Sequence, residues 1–172
     1  MEKDVVIQLK GGLDTRPVAM LVQVATFAQH SPDFAEKFMQ LCKNDTTVKC
    51  ITVSPKMMEQ LVKQQTADRP ENYVQAIAKL KSMRIVTASA DYYQKAEDLL
   101  SKNSRRFTAE RDYRTDSQHG AFFTRKNKEG ETVELIMLYE HCTDNQLTII
   151  NLTGDIDEEF LCFLYNNKTF KN

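Results

Sequence analysis

Apolar residues recur first at helical spacing and later at strand spacing. Phe34, Phe38 and Leu41 stand at i, i+4 and i+7, which predicts a helix from Pro32 or Asp33 to about Lys43 with all three on one face. Residues 48–53 form a short, partly β-branched apolar run and read as a strand. Ser54-Pro55 follows as a helix start, because Ser caps free N–H groups and Pro fits the first helical position. That helix carries Met57, Met58, Leu61 and Val62, and the polar stretch 64–71 with Pro70 ends it in a loop. A third helix is expected over 72–82, with Tyr73, Ile77 and Leu80 on one face. A strand over 83–88 comes next, then a helix from Ser89 or Asp91 with Tyr92, Ala96 and Leu99 on one face.

After Asn103 the period changes to two. Phe107, Ala109, Arg111 and Tyr113 alternate with Thr108, Glu110, Asp112 and Arg114, the pattern of a half-exposed strand. Residues 121–126 form another strand, and Asn127-Lys128-Glu129-Gly130 a hairpin turn. The runs 132–142 and 146–152 are the most apolar strands. Val133, Leu135, Met137 and Tyr139 lie on one face, Ile136 and Leu138 on the other, as expected of a central strand. Asp155 and Glu158 resemble a capping box opening a last helix. The early strands are separated by helices, so pairing between them is expected to be parallel. These elements predict an α+β fold: a mixed sheet with a C-terminal four-stranded antiparallel meander packed against helices.

The N-terminus has two readings. Residues 5–10 alternate as a strand does, and an amphipathic helix could follow. Alternatively, Arg16, the apolar run 18–24 and Thr26-Phe27-Ala28 match a degenerate secretory signal cleaved before Gln29, although Glu2, Asp4 and Asp14 oppose it. Residues 1–30 are therefore set apart from a single domain over 31–172. The run 17–28 is too short and polar for a transmembrane helix, which needs about 20 apolar residues.

The 172-residue chain carries 23 Lys and Arg against 24 Asp and Glu, a net charge of −1, which argues against a nucleic-acid binder. Gly120 to Arg125 faintly echoes an RNA-binding strand, but Ala121 and Lys126 stand where aromatics belong. No phosphate-binding, dinucleotide or nucleophile-elbow motif occurs, so no cofactor is expected. The acidic cluster Asp155, Asp157, Glu158 and Glu159 reads as helix capping rather than a cation site. His141, Cys142 and Asp144 lie close in sequence, yet adjacent strand residues point to opposite faces, so no metal is expected. Of the four cysteines, Cys42 and Cys50 could bridge a helix to a strand in an exported protein, whereas Cys162 lies in an apolar run.

Four segments carry a resemblance to a known family: 48–58, 83–87, 134–138 and 147–157. The last, Leu147-Thr148-Ile149-Ile150-Asn151-Leu152-Thr153-Gly154-Asp155-Ile156-Asp157, is the most specific. Over about residues 34–164 the chain resembles the domain of unknown function numbered 4252, found mostly in exported or lipid-anchored envelope proteins of Bacteroidetes-type bacteria. The resemblance implies a cell-envelope or periplasmic location; without a cleaved signal, the expectation is cytoplasmic. Neighbouring sigma and anti-sigma factor genes suggest envelope stress signalling, and the family supplies no catalytic residues. The resulting expectation is a non-enzymatic module that binds an unknown protein or small ligand on the meander, near Phe107, Tyr113 and Phe122. The rival is a small-molecule binder or enzyme with a site between sheet and helices, using His141 or Asp144.

Overall fold

A computed structural model of the chain describes residues 8–9, 12–13, 31–65 and 71–166. It separates into two compact units, 1–32 and 33–172. In the first, β1 (Gln8–Leu9) pairs antiparallel with β2 (Gly12–Leu13). The expected signal features, and the amphipathic helix expected after the first strand, lie outside the described residues.

The second unit runs α1 (Phe34–Leu41), β3 (Lys49–Val53), α2 (Pro55–Gln65), α3 (Glu71–Ala78), β4 (Leu80–Ser89), α4 (Tyr93–Ser101), β5 (Thr108–Arg114), β6 (Gln118–Lys126), β7 (Thr132–His141), β8 (Gln146–Gly154) and α5 (Glu158–Asn166). The six strands form one sheet in the order β3-β4-β8-β7-β6-β5. Strands β5 to β8 are the expected meander, and the fold is α+β. The sheet is not mixed, however, because every neighbouring pair is antiparallel. The reason is the connection between β3 and β4. One helix returns the chain to the end where a strand began and gives parallel strands. Here α2 and α3 pack against each other as an up-and-down pair, so β4 starts at the end where β3 stopped.

Alternation along the central strands feeds two cores. Ile136, Leu138, Leu147, Ile149 and Val86 face α1 and α4, whereas Leu135, Met137, Tyr139 and Leu152 face α2, α3 and α5. The inner strands of the meander are thus covered on both faces, whereas the edge strand β5 is largely exposed. Local details shift from expectation where tertiary packing decides. The buried residues of α1 are Phe34, Ala35 and Phe38, continued by Cys42 just past its end, and Leu41 is exposed. Leu80 belongs to β4, opposite Gly154, rather than to the preceding helix. A 3-10 turn at Ala90–Tyr92 moves the buried stripe of α4 to Tyr93, Ala96 and Leu100. The cap of α5 is Asp157, not Asp155: its Oδ1 accepts from the Phe160 N–H at 2.8 Å.

A buried polar clamp ties α1 to the sheet. A helix start leaves its first N–H groups without intrahelical partners. The Phe34 N–H donates to Glu134 Oε1 at 2.7 Å, the Ala35 N–H to Asn151 Oδ1 at 2.8 Å and the Glu36 N–H to Asp33 Oδ1 at 2.9 Å. Glu134 is fully buried, and it also accepts from Arg125 Nε at 2.6 Å and Asn151 Nδ2 at 3.1 Å. Arg84 Nη2 donates to Glu36 at 2.7 Å, and its Nη1 reaches Asp33 at 3.4 Å. Burial pushes the Asp33 carboxyl up, against the Glu36 N–H and the Arg84 charge, which pull it down. At the end of β8, Gly154 has φ +138°, and a Cβ there would lie 2.7 Å from the Leu80 Cα. Only glycine lets the strands approach so closely at this backbone angle.

Two outcomes follow for stability. Glu134→Ala would leave the Phe34 N–H and the Arg125 guanidinium without their buried acceptor and should cost about 3 kcal/mol or more in urea unfolding; a loss below about 1 kcal/mol would contradict the clamp. The Phe160 N–H, ahead of Lys79, holds the Asp157 carboxyl below its ordinary 3.8. A depressed carboxylate stabilises the fold above its unfolded value and loses that contribution as pH falls through the folded one. Asp157→Ala should therefore cost about 1 kcal/mol near pH 6. The gap to the parent should narrow as the pH falls below 3.8, and a gap unchanged by acid would contradict this role.

Candidate functional site

The clamp sits toward one end of the α1-facing side of the sheet. At the other end, the first turns of α4 stand off the ends of β5, β6 and β7 and leave an open groove of about 760 Å³. Its walls come from distant parts of the chain: Asp91, Tyr93, Gln94 and Glu97 from α4 and the turn before it, Asp112 to Arg114 from β5, His119 and Gly120 from β6, and Glu140 from β7. Strand register brings the last of these together, since His119 pairs with Arg114 on one side and Glu140 on the other.

His119 Nδ1 lies 2.9 Å from Glu140 Oε2, an ion pair when the imidazole is protonated and a hydrogen bond otherwise. The Tyr93 ring packs on that imidazole with centroids 4.4 Å apart. Tyr93 is only 9% exposed. The groove-lining tyrosine whose hydroxyl is buried without a hydrogen-bond partner among the described residues is Tyr113. Burial first, then the carboxylates of Glu97, Asp112 and Glu140, hold the Tyr93 phenol above its ordinary 10.0. Those charges act on one hydroxyl because the groove gathers them around it. Gly120 shapes the floor. A Cβ there would fall 2.1 Å from the Leu138 carbonyl oxygen and 2.7 Å from Tyr113 Cε1, so the Tyr113 ring takes the space that a side chain would fill.

Of the residues singled out from sequence, Tyr113 alone lines this groove. It is half-buried, within 6.0 Å of the Phe122 ring and 5.8 Å of the Tyr139 ring, and burial pushes its phenol up to about 12. Phe122 is buried in the same aromatic cluster, beneath Tyr165. Phe107 is buried in the opposite core, edge-on to Phe34 at 6.1 Å. His141 is half-buried at the end of β7 with its Nδ1 2.8 Å from Gln118 Nε2, and Asp144 is exposed in the turn that follows. Cys42, buried, and Cys50, exposed, are free thiols in the structure, so the bridge expected of them in an exported protein is not formed there.

The groove residues His119, Glu140 and Asp112 escaped the sequence reading because only register unites them. The alternation at 108–114 did place Asp112 and Arg114 on one face of β5. The groove is equipped to accept hydrogen bonds and hold positive charge, through carboxylates and a phenol oxygen. Among the described residues no three His, Cys, Asp or Glu side chains are grouped to hold a metal ion. Also among them, no helix is long and apolar enough to cross a membrane.

No curated protein matches the chain. The family model described as Domain of unknown function (DUF4252) matches residues 38–161. That span runs from the middle of α1 into α5. It takes in the whole six-stranded sheet, Glu134 and Asn151 of the clamp, and every residue of the groove. The match covers well over half of the sequence, and the chain belongs to this family of unknown function.

Proposed function

We propose that the chain is a non-enzymatic binding module of the cell envelope, and that the groove beside α4 is where it holds its partner or ligand. The observation that carries this reading is the groove itself, a cavity of about 760 Å³ whose walls bring Tyr93, the His119–Glu140 pair and further charged side chains together from α4, β5, β6 and β7. The cavity volume falls within the roughly 300–1,000 Å³ usual for ligand sites. The envelope part of the reading rests on the family resemblance and its exported relatives.

A second reading has one observation behind it. An imidazole held by a carboxylate, as His119 is by Glu140 at 2.9 Å, is the arrangement that orients histidine for proton transfer. An enzyme using the groove would place its substrate between sheet and helix and would lose turnover, though not binding, in His119→Gln.

The test is photocrosslinking in the native host. A photoreactive residue replaces Gln94 on the groove wall, and in a control strain Lys128, in the turn at the opposite end of β6. The expected result is a defined adduct from position 94 in the envelope fraction and none from position 128. Equal labelling from both positions, or none from 94, would contradict the groove as the binding site. An adduct confined to the cytoplasmic fraction would contradict the envelope location.

A further inference from the structure

We propose that the free edge strand β3 is a pairing surface for a second copy of this chain, joined antiparallel about Ile51 so that two six-stranded sheets become one. The sheet has two edges, β3 and β5, and the groove lies beside β5, so this inference stands apart from it. The edges differ in the devices that block strand addition. β5 carries Glu110, Arg111, Asp112 and Arg114 and a register shift between Ala109 and Arg111. Charges and bulges of this kind keep an edge from pairing. β3 carries one charge, Lys49 at its start, and pairs with β4 without a break from Lys49 to Val53. In an antiparallel ladder alternate residues turn their N–H and C=O groups away from the partner strand. On β3 those groups have no partner among the described residues, and Lys49, Cys50, Ile51 and Thr52 are exposed.

The occupant follows from the row in which Ile51 stands. Register aligns Phe122, Met137, Ile150, Ile85 and Ile51 across β6, β7, β8, β4 and β3. The row is buried at Phe122 and Met137 and half-buried at Ile150 and Ile85. It ends on Ile51, which at 62% is the most exposed large hydrophobic residue among those described. Ile51 is also the middle residue of β3, so a twofold axis there pairs the strand along its whole length: Ile51 with its own copy, Cys50 with Thr52 and Lys49 with Val53. The apolar row then continues into the second sheet. Charge selects the same arrangement. Antiparallel pairing holds the two Lys49 residues about 14 Å apart along the strands, four residues at about 3.4 Å each. Parallel pairing would set them side by side, which is unfavourable. With β5 blocked, β3 can join only another β3 among the edges of this chain, and assembly closes at two copies. Five residues a side, against roughly 20–30 in a standard interface, make this a weak dimer that fills as concentration rises.

The test is sedimentation velocity on the full chain across the weak-binding range, about 1 µM to 1 mM. The expected result is monomer at the lower end and a rising share of dimer at the upper end. Ile51→Lys sets two like charges opposite each other at the axis, on a side chain that the monomer leaves exposed, and should weaken association about tenfold. Thr108→Lys makes the same kind of change on the exposed β5 edge and should leave association unaltered. Register is read with a short bis-maleimide on a chain carrying Cys142→Ser and Cys162→Ser, which leaves Cys50 as its exposed thiol. In the proposed register the two Cys50 residues are diagonal neighbours about 7–8 Å apart. The reagent should join two chains, and Ile51→Lys should reduce the product. In the native host, a photoreactive residue at Thr52 should yield an adduct of two copies of the chain. Monomer at every concentration would overturn the proposal. So would association that survives Ile51→Lys or is lost in Thr108→Lys, and so would dimers that Cys50 does not join. An adduct at position 52 with a different protein alone would overturn the second copy and give the edge to a foreign strand. The groove is tested separately, from position 94.

Discussion

The structure depends on how the start of α1 is buried. Helix starts usually face water or a local cap, because unpaired N–H groups inside a protein cost about 1–3 kcal/mol each. Here two of them meet the side chains of Glu134 and Asn151, supplied from 100 and 116 residues further along the chain. A fully buried carboxylate is itself unfavourable unless paired and hydrogen-bonded. Glu134 meets that condition through the Phe34 N–H, Asn151 and Arg125, and the positive end of the helix dipole adds to it. Each partner is satisfied only if the others are in place. The clamp therefore acts more through specificity than net stability, holding α1 at one position and register on the sheet.

The rest of the architecture follows from that fixed face and from the paired helices α2 and α3. By returning the chain antiparallel, they put β4 next to β3, and β8 then fills the place beside β4. The single helix α4 must cross from β4 to β5 at the far edge of the sheet. With α1 clamped near Glu134, α4 covers the remainder of that face, and the lower part of α4 fits tightly through Ala96 and Leu100. Its first turn stands over the strand ends instead, where Tyr93 and His119 meet. The groove is the space left by this crossover, walled by the start of α4 and the turn before it on one side and by the ends of β5, β6 and β7 on the other.

Much of the fold was legible in the sequence because period and caps are local. Ser54-Pro55 opens α2, the turn before Gly130 joins β6 to β7, and the two-faced apolar pattern of β7 marks an interior strand. Errors arose where a distant partner outweighed the local pattern. Leu80 continues a helical period but pairs with Gly154; Tyr92 has the right spacing, but a 3-10 turn rotates it out of the stripe. Parallel pairing was inferred from helices between strands, and the even number of helices between β3 and β4 reversed it. In the segment that carries the resemblance, Asn151 and Gly154 have physical roles invisible to sequence reading, one as a helix cap for α1 and the other as the point of closest strand approach. The groove was least legible of all, since Asp112, His119 and Glu140 come from three strands joined by register, and Tyr93 reaches them only through the packing of α4.

Native-state hydrogen exchange at the amides of Phe34 and Ala35 tests the central claim most directly. Amides in the first turn of an ordinary helix exchange rapidly because they lack intrahelical acceptors. If Glu134 and Asn151 hold α1 as described, both amides will exchange only through global unfolding, as slowly as those of Leu138 and Ile149 in the central strands. Exchange at the rate of the exposed 127–130 turn would mean that the helix start is not clamped, and the account of the sheet face and its groove would have to be abandoned.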